Sequence, residues 1–120
     1  MRAVSLALGL SLAALGAVPV LALHNHLEKS TPAADEAVAQ SPKEIRLWFA
    51  EQIDPKFSSI TLMRADSSKI ESGKAHGTGD PKSIAADVSA PLAAGKYLIR
   101  WRSAGDDGHA VRGTFAFSVK

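Results

Sequence analysis

Short segments in which every second residue is apolar recur along this chain, each closed by proline or glycine. That pattern admits few folds. Ile45, Leu47 and Phe49 alternate with Arg46 and Trp48, and a period of two puts one set of side chains on a single face of an extended strand. After the break at Asp54-Pro55, the stretch from Phe57 to Met63 carries Ile60 and Leu62 on one face. Ile84 to Val88 is a shorter candidate. Tyr97, Ile99 and Trp101 share a face of Lys96 to Arg102, and Phe115, Phe117 and Val119 alternate along the last segment, Thr114 to Val119. Beyond residue 23 no stretch of ten residues carries a helical period. Short strands parted by turn residues predict an all-β fold, a small antiparallel sandwich or barrel. Phe49, Phe57, Leu62, Tyr97, Ile99, Trp101, Phe115 and Phe117 are the expected core. Trp48 falls on the opposite face from Leu47 and Phe49, and packing under a loop is its expected environment. The polar residues 66–83 are expected to hold a hairpin tip or a ragged edge strand around Ser68 to Glu71.

The first residues do not belong to this pattern. Met1-Arg2 is a short positive start, Ala3 to Ala17 is apolar apart from Ser5 and Ser11, and Pro19 and Ala22 follow. This is the arrangement of a cleaved secretory signal peptide over residues 1–23, leaving residues 24–120 as one small domain outside the cytoplasm. The chain has no cysteine, so neither a disulfide nor a thiolate ligand or nucleophile is available. A formal net charge of +2, with no Lys/Arg cluster interleaved with aromatics, gives no case for nucleic-acid binding.

Chemistry concentrates in Trp101 to Gly113, where Asp106, Asp107 and His109 stand in a glycine-rich turn between two strand segments. A carboxylate and an imidazole two residues apart can aim at one ion. A second histidine pair, His24 and His26, stands where the exported chain is expected to begin. If His24 is the first residue, its α-amine and imidazole, with ordinary pKa values of about 7.7–8.0 and about 6.5, form a chelate. Adding Asp107 and His109 gives an N,N,N,O set, which suits Cu(II). With no cysteine, and Met63 the only methionine after the leader, a soft Cu(I) site is not expected. Two alternatives stay open. Cleavage after Ala22 leaves Leu23 ahead of His24 and removes the terminal chelate. A first-position His24 also permits a local square plane that uses the amine, two backbone amidates and the His26 imidazole. His76 reads as a solvated loop histidine; it and His26 are the candidates for accessory metal ligands. Asp106 is expected to be either a solvated turn acid or a group that orients a histidine N–H from outside the coordination sphere.

Short motifs are spread over the whole expected domain: His24-x-x-Leu27, Ser30-Thr31-Pro32-Ala33, Ile45 to Glu51, Phe57-Ser58 and Gly79 to Ser83. They continue with Pro91 to Tyr97, Trp101-Arg102, Asp107-Gly108-His109, Gly113-Thr114-Phe115 and Phe117-x-Val119. In their order and spacing the chain resembles the CopC/PcoC family of periplasmic copper-resistance proteins. The resemblance implies a Greek-key β-barrel or sandwich of cupredoxin-like or immunoglobulin-like architecture. It also implies one Cu(II) ion at one end, held by His24, Asp107 and His109, in a periplasmic carrier or buffer with no catalytic residues. An inner-membrane copper protein of the CopD type is the implied partner, and nothing points beyond a monomer. Some family members carry a Met-rich Cu(I) loop. Residues 66–83 contain no Met here, so no such site is expected. Two other readings are a copper oxidase or monooxygenase built on the N-terminal histidine, and a metal-free secreted interaction module.

Overall fold

The computed structural model describes residues 25–120. The leader and His24 therefore lie outside the described residues. Eight strands follow in order: β1 (Leu27–Thr31), β2 (Ala37–Val38), β3 (Glu44–Phe49), β4 (Ser59–Arg64), β5 (His76–Gly77), β6 (Ser83–Asp87), β7 (Gly95–Ala104) and β8 (Ala110–Val119). They form two four-stranded sheets, ordered β1-β3-β6-β5 and β2-β8-β7-β4. The chain crosses between the layers at each step from β1 to β5 and again from β6 to β7, while β5–β6 and β7–β8 each stay within one sheet, a connectivity of the Greek-key sandwich kind.

The alternation seen in the sequence decides which faces meet. Ile45, Leu47, Phe49, Ile84 and Ala86 point inward from the first sheet. From the second come Ile60, Leu62, Tyr97, Ile99, Trp101, Phe117 and Val119, and none of the twelve is more than 7% exposed. Each large side chain among them contributes roughly 1.5–3 kcal/mol by leaving water. Two aromatic contacts order the interior. Phe49 meets Trp101 edge-on across the layers at a centroid distance of 5.2 Å, and Tyr97 stacks on Phe117 at 5.6 Å.

Three expectations are corrected. Phe57 is not in the core: Asp54 accepts the Lys56 N–H at 2.9 Å, and Pro55 begins a short 3-10 turn. That turn swings Phe57 outward to 57% exposure, and β4 starts only at Ser59. Trp48 is not under a loop. It lies half-buried on the outer face of the first sheet, with the Lys29 ammonium 4.8 Å and the Arg46 guanidinium 5.0 Å from its ring centre. Phe115 is partly buried and packs against the core's margin. The antiparallel sandwich is as expected, with one short parallel addition: β2 runs along the end of β8, Ala37 opposite Ser118 and Val38 opposite Val119. The ragged edge near Ser68 is present: the Ile70 N–H donates to Leu62 O at 2.9 Å, and Lys69 bridges to Met63.

β7 and β8 pair along their full length, from Gly95 opposite Val119 to Ala104 opposite Ala110. Both strands extend further than their apolar residues suggest, so the turn shrinks to residues 105–109. Within this hairpin Gly113 faces Trp101, and the indole covers it. A Cβ there would run into Cζ2 and Cε2 of the ring and lie 2.8 Å from its Nε1. Trp101 cannot yield readily, since Phe49 backs it. Gly113→Ala is therefore expected to cost about 1–3 kcal/mol by overpacking. Thermal denaturation should show it as a melting point lowered by about 4–8 °C per kcal/mol.

Candidate metal centre

The β7–β8 turn is closed by the Gly108 N–H donating to Gly105 O at 3.1 Å, with Gly108 at φ +77°, where a side chain is disfavoured. This shape sets Asp107 and His109 side by side. The His109 backbone N–H donates to Asp107 Oδ1 at 3.1 Å, and its ring Nδ1 lies 3.0 Å from Oδ2. With the proton on Nδ1 that contact is a hydrogen bond, and Nε2 then carries the free lone pair. The side chains are 80% and 68% exposed for His109 and Asp107 respectively. The His109 side-chain hydrogen bond, reinforced by the backbone N–H of the same residue, holds the Asp107 carboxyl below the usual carboxylate range. An ionised carboxylate and an oriented imidazole thus stand in water at one tip of the sandwich. Together they offer an O,N donor pair to an ion, with the Asp107 contact either kept as a brace on the ring or exchanged for direct coordination.

The start of the described chain is fastened at the same end. The Asn25 side chain pairs with the Glu51 backbone in both directions, accepting its N–H at 2.7 Å and donating to its carbonyl at 3.3 Å. The Ala50 N–H donates to His26 O at 3.0 Å. The segment so gripped, just after β3, also meets the hairpin. Asp54 N–H donates to Ala104 O at 2.8 Å, and a Cβ on Gly105 would lie 3.4 Å from Gln52 O and 3.7 Å from Asp107 Oδ1. A chain of contacts therefore links Asn25, through residues 50–54, to the turn that carries Asp107 and His109.

The other candidates fall out differently. His26 is exposed, with Nε2 3.8 Å from Glu28 Oε1, and it does not join Asp107 and His109 in a three-residue donor group among the described residues. Asp106 makes no side-chain hydrogen bond among the described residues; the carboxylate that braces the His109 ring is that of Asp107. His76 is not a loop residue, because it sits on β5 beside β6. Glu44, His76 and Asp87 place one donor atom each within 4.8 Å of the others, a grouping the sequence reading missed. Its only linear signal is His76, since Glu44 and Asp87 meet through strand register alone.

Known proteins give the same frame. The CopC domain model matches residues 27–120. Copper resistance protein C of Escherichia coli is 36% identical over 104 residues, covering 81% of this chain and 82% of that protein. Copper resistance protein C of Pseudomonas syringae pv. tomato is 32% identical over 103 residues, covering 81% of each. Among solved structures, CopC from Methylosinus trichosporium OB3b superposes with a TM-score of 0.74 at 33% identity, over 81% of this chain and 94% of that one. PcoC, a methionine-rich copper resistance protein from Escherichia coli, does so with a TM-score of 0.72 at 36% identity, over 81% and 99%. With the family model spanning both sheets and the turn between β7 and β8, this chain belongs to the CopC family.

Proposed function

We propose that this chain binds one Cu(II) ion in the periplasm and carries or buffers it for copper resistance or homeostasis, without catalytic turnover. His24 supplies its α-amine and imidazole, Asp107 a carboxylate and His109 an imidazole. The observation that carries this reading is the exposed Asp107–His109 pair, set at the end of the sandwich where the Asn25–Glu51 pairing fastens the chain's first described residues. The relatives are copper resistance proteins by name, which supports copper as the cargo. A mixed nitrogen and oxygen set without thiolate or methionine favours Cu(II) over Cu(I). An exposed site at a tip also suits handover, and an inner-membrane copper protein of the CopD type is the partner that fits this role.

The first test is the mass of the protein recovered from the periplasm, with and without one equivalent of Cu(II). A chain beginning at His24 that gains the mass of one copper is expected. A chain beginning at Leu23, or one that takes up no copper, overturns the ligand set that includes the terminal amine.

A further inference from the structure

The outer face of the first sheet carries a second place where a metal ion fits. β3 and β6 run antiparallel with Glu44 directly opposite Asp87, and β5 adds His76 opposite Ala85, two positions along β6 from Asp87. Residues two apart on a strand share a face. Three adjacent strands thus deliver two carboxylates and an imidazole to one patch, with one donor atom of each inside 4.8 Å.

Three features distinguish this patch from a solvated charged surface. Like charges directly opposite across an antiparallel pair repel, yet no Lys or Arg within ion-pairing distance relieves Glu44 or Asp87 among the described residues. Arg46, two residues along β3 from Glu44 on the same face, is committed elsewhere: its Nε donates to Ser83 Oγ at 3.3 Å and its guanidinium lies on Trp48. The imidazole is also set for ligation. His76 Nδ1 lies 2.9 Å from Gly77 O, a contact that places the proton on Nδ1 and leaves the Nε2 lone pair free. That Nε2 is 3.8 Å from Asp87 Oδ1, too long for a hydrogen bond. It lies within a few tenths of an ångström of the roughly 3.4 Å that separates two ligands about 2.1 Å from one tetrahedral ion.

We propose that Glu44, His76 and Asp87 form a second site for a divalent transition-metal ion, Zn(II) or Cu(II), completed by water. The site is separate from the centre at the tip. Glu44 begins β3 and the grip on Asn25 follows its end, so roughly 16 Å of strand lie between them. Three exposed ligands with an open position make it the weaker of the two.

The test titrates Zn(II), and separately Cu(II), into the exported chain and into H76A, D87N and a D107A/H109A double variant, by calorimetry and by backbone amide shifts. In the double variant one ion is expected to bind still, moving the amides of Glu44, His76 and Asp87. Adding H76A should weaken that binding at least tenfold, and D87N, which keeps the shape of the side chain, should do nearly the same. If H76A and D87N titrate like their parents for both metals, with no amide response on β3, β5 and β6, the site does not exist. Loss of the tip centre leaves this result readable, so failure of either site is seen independently.

Discussion

Replacing Asp107 or His109 with alanine is expected to weaken Cu(II) binding well beyond tenfold while leaving thermal unfolding unchanged. Each side chain projects into water from a turn whose path is set by backbone bonds and by Gly108, so nothing in the core depends on either. Their loss removes one donor outright. Loss of Asp107 also frees the His109 ring, which the carboxylate braces at 3.0 Å. Cu(II) titration against a competing chelator measures the effect. An unchanged titration in both variants rules out a site that joins the two ends of the chain. It leaves the local square plane of His24 and His26, for which His26→Ala is then the deciding variant.

Phe49→Ala should have the largest effect on stability. The side chain is 1% exposed, and its ring meets Trp101 edge-on between the layers. Truncating a buried phenylalanine costs about 3–5 kcal/mol, the lost transfer energy plus the cavity left behind. Small domains have only about 5–15 kcal/mol in total. Urea unfolding should show a much lower midpoint with an unchanged slope. Phe49 also leads into residues 50 and 51, which hold His26 and Asn25. The variant should therefore weaken Cu(II) binding as well, though less than loss of His109. A midpoint within experimental error of the parent would mean that the two layers do not close on this residue.

How far the sequence speaks depends on the range of the physics. β3, β7 and β8 are legible because one buried face forces strict alternation, and Leu47, Ile99 and Phe117 obey it. Asp107 and His109 are legible because their relation is local, two residues apart in one turn. Phe57 misleads because the same alternation competes with Asp54-Pro55, whose capping bond and fixed proline φ settle the backbone before the apolar ring can turn inward. Trp48 misleads for another reason. Arg46 is two residues away and could have been paired with it, but Lys29 becomes a neighbour only through the β1–β3 register. The Glu44–Asp87 opposition is non-local in the same way, since a one-residue slip in register would send the two to opposite faces. Nothing in linear spacing encodes that choice.

The unlike settings of the two tryptophans also have a practical consequence. Trp101 is enclosed against Phe49, whereas Trp48 lies half in water between an ammonium and a guanidinium group. Their fluorescence should differ accordingly, with blue-shifted emission from the apolar interior and redder emission from the wet outer face. The protein thus carries two optical probes of its own, and a Trp48→Phe variant would isolate the one that reports on the meeting of the two sheets.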